Sequence, residues 1–131
     1  MARPVALALS LALALSLGAC SQAEQALLDA TTVAGADWDT DARAQREQVG
    51  QRFAYVCPPA PASIGTVWGT DLYTDDSSVC GAAVHAGKLT QARGGRVVIE
   101  MRGGQSSYAG SSRNGIATRD YGSWGGSFVV L

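Results

Sequence analysis

The chain has 131 residues, with ten Lys and Arg against eleven Asp and Glu, three cysteines and a single histidine. That length suits one domain with a modest core and excludes two. The near-neutral sum names no partner, but its distribution is uneven. Residues 21–85 carry nine acids against three arginines, whereas residues 86–131 carry six cations against two acids. Either the two halves neutralise one another in the fold, or the second half presents a basic face suited to anionic glycans or lipid phosphates.

The chain opens with Arg3 as the lone charged side chain of its first stretch, followed by an apolar run from Val5 to Leu17 made of Ala and Leu around Ser10 and Ser16. Such a run is too short to span a bilayer comfortably and reads as the core of an export signal. It ends in Leu17-Gly18-Ala19-Cys20, which resembles the lipobox of bacterial lipoproteins. That resemblance implies a signal peptide over residues 1–19 and acylation of Cys20, whose palmitate-type lipid tethers the mature chain to a membrane. The expected location is the periplasmic side of the cell envelope, with the outer membrane as host, and this compartment argues against nucleic acid as a partner.

An odd cysteine count in an exported protein needs a reason. With Cys20 carrying lipid, Cys57 and Cys80 remain as a pair in an oxidising compartment, where a disulfide is expected. Closing a loop of this size contributes roughly 3 kcal/mol in a chain-entropy reckoning.

Residues 20–52 read as a tether. Asp37 to Arg52 predicts a short helix with Asp41 as N-cap and Gly50 as its end. The folded domain is expected over residues 53–131. Phe53 to Val56 predicts a strand leading into Cys57, and Pro58, Pro59 and Pro61 force an extended loop after it. Thr66 to Thr70 is the next strand, rich in β-branched and aromatic residues. Asp75-Asp76-Ser77-Ser78 then supplies cap residues and negative charge for a helix dipole, and Gly87 marks the stop ten or so residues later. Arg96 to Arg102 alternates with Val97, Ile99 and Met101 on one face, and Gly103-Gly104 is expected to end it. Gln105 to Gly126 is Gly- and Ser-rich, yet its aromatic and aliphatic anchors predict ordered turns and short strands. Ser127 to Leu131 closes as a strand.

The stretch Val67-Trp68-Gly69-Thr70-Asp71-Leu72-Tyr73-Thr74-Asp75-Asp76-Ser77-Ser78-Val79-Cys80-Gly81-Ala82-Ala83-Val84-His85-Ala86-Gly87 resembles the signature of the LCCL domain family. The Gly94-Gly95 turn, Tyr108-Ala109-Gly110-Ser111, Asn114-Gly115-Ile116 and Ser127-Phe128 follow in the family's order, from about Phe53 to Leu131. The resemblance implies an α+β fold, with antiparallel strands wrapped around one short central helix. It also implies an extracellular module to which no enzymatic activity is attributed, with glycan or lipopolysaccharide binding suggested for some members. Animal members usually carry four cysteines in two bridges, whereas Cys57 and Cys80 allow one here.

Residue by residue, catalytic readings are weak. Ser77 or Ser78 with His85 as base would suggest a hydrolase. However, Ser78 and His85 stand about 10 Å apart along a helix, whereas a base must lie within about 3 Å. A capping serine and a histidine touching the last helical carbonyls explain the same residues. Asp71, Asp75 and Asp76 lack the glycine turn and distal Glu of a calcium loop. One histidine and two cysteines better used in a bridge do not make a zinc site. Neither cofactor nor metal is implied.

The aromatic residues offer more. Trp68, Tyr73, Tyr108, Tyr121 and Trp124 lie in or beside Gly-rich turns, where exposed rings stack on sugars and Arg113 or Arg119 engages acidic groups. Trp68 and Tyr108 are expected in the core, and Tyr121 and Trp124 stay open between core and surface. The resulting expectation is a non-catalytic envelope binding or adhesion module whose ligand-binding candidates are Tyr121, Trp124, Arg113 and Arg119. The alternatives are a structural lipoprotein docking to another envelope protein and, more remotely, an uncharacterised hydrolase.

Overall fold

The computed structural model describes residues 29–131, so the export signal at 1–19 and the lipid acceptor Cys20 lie outside the described residues. Eight strands and one α-helix form the domain: β1 (Thr31–Val33), β2 (Arg52–Cys57), β3 (Gly69–Thr70), β4 (Leu72–Thr74), α1 (Val79–His85), β5 (Gly95–Gln105), β6 (Ser112–Arg113), β7 (Ile116–Ala117) and β8 (Trp124–Val130). Six of them make one sheet in the order β1-β2-β5-β8-β4-β3, and β6 and β7 pair separately. All contacts in the sheet are antiparallel except β1 with β2. This is the α+β architecture that the family resemblance implied.

Alternation on the central strands decides which face is buried. Phe53 pairs with Ile99 and Tyr55 with Val97, while Met101 pairs with Phe128 and Phe128 with Tyr73. These residues therefore share one face of the sheet, and all are buried. Helix α1 packs on that face, tied to β2 by the Cys57–Cys80 disulfide with Cα atoms 5.9 Å apart. Every residue of α1 is buried, because loops cover the side the sheet does not. Its small side chains are what permit this approach. A Cβ on Gly81 would meet Ile64 Cγ2 at 2.8 Å and Val67 Cγ2 at 2.9 Å, so glycine lets the 64–67 loop lie on the helix. The propensity cost of about 1 kcal/mol is offset by that packing.

Both ends of α1 follow their local sequence. The Ser78 hydroxyl accepts from Gly81 N–H at 2.9 Å as N-cap. At the other end Gly87 adopts φ 78°. Lys88 N–H donates to Ala83 O and Gly87 N–H to Val84 O, each at 2.9 Å, which is a Schellman motif. In the Gly-rich region, Asn114 and Gly115 take φ 54° and 80° and form the two-residue turn joining β6 to β7.

Several expectations change. The packed unit begins upstream of Phe53: β1 pairs with β2, and Trp38 and Ala42 belong to the core. Residues 31–52 are thus part of the domain and not a tether. The helix expected over 37–52 is only a 3-10 turn at Arg43–Gln45; Asp41 Oδ1 accepts from Arg43 N–H at 3.0 Å, a local turn with no apolar face to extend it. Strand β3 covers only Gly69 and Thr70 of the expected 66–70, since its pairing with β4 spans only those two residues and Trp68 makes an isolated bridge to Arg119 instead. Strand β5 runs through Gly103-Gly104 to Gln105, because β8 pairs along it as far as Trp124.

Candidate functional site

His85 is fully buried and does not reach the last helical carbonyls. Its Nδ1 lies 2.9 Å from Tyr73 Oη, and its Nε2 lies 3.1 Å from Ser111 Oγ and 3.3 Å from Ser111 O. The carbonyl of His85 is instead capped by Asn114 Nδ2 at 2.9 Å. With Tyr73 O–H donating to Nδ1, Nε2 carries the proton and donates to Ser111. A ring in that tautomer has no lone pair facing the serine hydroxyl, as a general base requires. Burial lowers the pKa of His85 and the Ser111 contact partly offsets this, with Arg113 and Asp71 exerting smaller, opposed effects. The network joins α1 and β4 to the loop before β6. Ser77 and Ser78 are also committed elsewhere: Ser77 Oγ accepts from Trp68 N–H at 2.9 Å, and Ser78 Oγ donates to Trp38 O at 2.7 Å.

Of the three aspartates that suggested a cation loop, Asp71 and Asp75 go separate ways. Asp71 pairs with Arg113 at 2.8 Å beside the β6–β7 hairpin. Asp75 is not a helix-dipole charge. It is fully buried and receives Arg46 Nε at 2.6 Å, Arg46 Nη2 at 2.8 Å and Trp124 Nε1 at 2.8 Å. Burial alone would raise the pKa of this carboxyl, but Arg46 and the Trp124 indole hold it below its ordinary value. Among the described residues, no three His, Cys, Asp or Glu side chains group as metal ligands.

This buried carboxylate is the base of a surface feature. The Trp124 ring, held by Asp75 from its nitrogen, carries the Arg46 guanidinium 5.2 Å from its centroid, a cation–π contact. Tyr121 meets Trp124 edge-to-face at 5.6 Å, and Trp68 meets Tyr121 in the same manner at 6.2 Å. The result is a continuous strip, Trp68–Tyr121–Trp124–Arg46, with Trp68 and Trp124 half-buried and Tyr121 41% exposed. Its backbone is fixed too. Tyr108 and Tyr121 exchange N–H···O bonds of 2.8 and 3.0 Å, and Arg119 bridges Val67 and Gly69 at 2.9 and 3.0 Å. Gly126 is obligatory beneath the strip, because a Cβ there would collide with the Asp75 carboxylate.

Of the sequence candidates, Tyr121 and Trp124 come together here. Arg119 is paired with Trp68 in a parallel bridge. Arg113 is engaged by Asp71 instead. Tyr73 and Tyr108 are buried, whereas Trp68, expected in the core, is half-buried and part of the strip. Arg46 and Gly126 were not singled out from sequence and Asp75 was read only as a helix-end charge or cation ligand, since nothing in local spacing links positions 29 residues apart.

Comparison with known proteins agrees with this architecture. Human vitrin is 48% identical over 65 residues, covering 50% of this chain and 9% of its own length. Clotting factor C of Tachypleus tridentatus is 40% identical over 99 residues, covering 73% of this chain and 10% of its own. Human cysteine-rich secretory protein LCCL domain-containing 2 is 38% identical over 66 residues, or 50% of this chain and 13% of its own. The chain thus spans about a tenth of the length of these relatives. The model of the LCCL domain matches residues 31–128, in accord with a packed unit that starts at β1. The chain belongs to the LCCL domain family.

Proposed function

We propose that this chain is a non-catalytic binding module of the cell envelope and that the Trp68–Tyr121–Trp124 strip takes the saccharide of a glycan or lipopolysaccharide. The observation that carries this reading is the strip itself. Three aromatic rings stand in a row at the surface, with Tyr121 in edge-to-face contact with Trp68 on one side and Trp124 on the other, braced by the Arg46–Asp75 ion pair. Half-exposed rings offer apolar area to the C–H faces of a sugar, and rings already fixed lose little entropy on binding.

Residues 1–20 give the setting: export, then acylation of Cys20 at the periplasmic side, with the outer membrane as host. A relative whose name marks it as secretory is in keeping with export. Anchoring concentrates a weak binder near its target, so modest affinity is sufficient.

A glycan and lipopolysaccharide array probed with the wild-type chain and Tyr121→Ala tests the reading. The wild type is expected to bind a subset of saccharides and the variant to lose those signals. A blank array for the wild type refutes saccharide binding and favours a structural lipoprotein that docks to another envelope protein. Intact mass of the mature chain checks the tether, with a diacyl or triacyl adduct expected on Cys20.

A further inference from the structure

A cleft of about 240 Å³ lies between the 64–67 loop and the β6–β7 hairpin, lined by Ile64, Gly65, Thr66, Val67, Gly115, Ile116, Ala117 and Arg119. Both walls are fixed. The loop rests on α1 where Gly81 makes room. The hairpin is pinned by Asn114 on the His85 carbonyl and by Ser111 N–H donating to Thr118 Oγ1 at 2.9 Å.

Arg119 is the cation of this cleft. Among the described residues, Arg43, Arg46, Arg52, Arg102 and Arg113 each pair with a carboxylate, whereas Arg119 is exposed and pairs with none. Its neighbour Asp120 is turned away, accepting from Gly110 N–H at 2.7 Å, and Asp71 is engaged by Arg113. Arg119 also stands where the cleft meets the strip. It bridges to Trp68, whose ring packs against Tyr121, two residues further along the chain.

We propose that the Arg119 cleft is an anion subsite of the aromatic strip, so that the ligand is an acidic saccharide, carrying a phosphate or carboxylate substituent. This rests on the saccharide reading above. The sugar ring lies on Trp68 and Tyr121, and the oxyanion accepts from the Arg119 guanidinium, whose planar fork suits either group. The cleft's size suits a single substituent and part of a ring.

The test uses the full chain with Cys20→Ser, followed by NMR through the indole N–H signals. The probes are methyl glucoside, glucose 6-phosphate, glucuronate and inorganic phosphate. Glucose 6-phosphate or glucuronate is expected to bind about tenfold more tightly than methyl glucoside and to move the Trp68 signal. That advantage disappears in Arg119→Gln, shrinks with added salt and is partly retained in Arg119→Lys, while methyl glucoside binding is unchanged. An undisturbed Trp38 signal certifies that the variants are folded. Equal binding of all three sugars, unaltered by Arg119→Gln, overturns the subsite and leaves the saccharide reading standing. Inorganic phosphate binding as tightly as glucose 6-phosphate also overturns it, because the ring then contributes nothing. No binding of any sugar overturns both.

Discussion

The brace under the strip gives an ordering of two substitutions that intuition about charge reverses. Asp75 is fully buried, while the Arg46 side chain keeps 35% of its exposure. Removing one partner of a fully buried pair costs about 3–5 kcal/mol. Solvent around Arg46 reduces this, so Arg46→Leu is expected to cost about 2–3 kcal/mol at neutral pH. Its burden is an ionised carboxylate left with one donor, Trp124 Nε1. Asp75→Asn is milder at about 1–2 kcal/mol, because the amide oxygen still accepts from Trp124 and the released guanidinium turns to water. Urea denaturation followed by tryptophan fluorescence reads the difference. With a slope of about 1–3 kcal/mol per molar, Arg46→Leu lowers the midpoint by about 0.7–3 M. The penalty also depends on pH. Because Arg46 and Trp124 hold the Asp75 pKa down, the pair's contribution is present above about pH 4 and is lost as pH falls through the lowered native value. The Arg46→Leu deficit therefore narrows in acid. Asp75→Asn proving as damaging as Arg46→Leu, or a deficit that does not change with pH, would refute the reasoning.

Two further outcomes are expected. His85 has a native pKa below its ordinary 6.5 because it is buried. The unfolded chain therefore binds a proton first as pH falls, and stability declines from about pH 6.5 toward the native value. His85→Gln should flatten that slope between pH 7.5 and 5.5, and a wild type equally stable at both ends would contradict the burial argument. Replacing Cys57 and Cys80 by serine opens a bridge between residues 23 apart in sequence and should cost about 3 kcal/mol in a urea titration; a loss under about 1 kcal/mol would show that the packing of α1 on β2 suffices without it.

How much of this was readable in the chain depended on how far apart the partners lie. The faces of β5 follow from alternation over 96–102, and both ends of α1 follow from Ser78 and Gly87, because each signal and its structure share one turn or strand. The bridge followed from an odd cysteine count. By contrast, β1 is three residues long in an Ala- and Thr-rich stretch, and what makes it a strand is β2, more than 20 residues away. Trp38 and Ala42 were lost for the same reason, since their contacts lie beyond the local window that suggested a tether. Asp75 shows the ambiguity best. Next to Ser77 and Ser78 a carboxylate looks like a helix-end charge, and only the Arg46 partner, supplied by the segment before β2, makes it the brace. Tyr121 and Trp124 were found from composition, yet the strip also needs Trp68 and Arg46, which reach it through the tertiary fold.

The three tryptophans provide the most direct test of the strip as a binding surface. Trp38 is 4% exposed and donates from Nε1 to Pro58 O at 2.7 Å, whereas Trp68 and Trp124 are the strip's own, half-buried indoles. Titrating isotope-labelled chain with a saccharide identified on the array should move the Trp68 and Trp124 indole signals together and leave Trp38 in place. Tyr121→Ala should weaken the titration about tenfold, or 1.4 kcal/mol, with the urea midpoint little changed. Saccharide binding that leaves Trp68 and Trp124 unmoved, or that survives Tyr121→Ala at full affinity, would contradict the claim that this strip is where the domain binds.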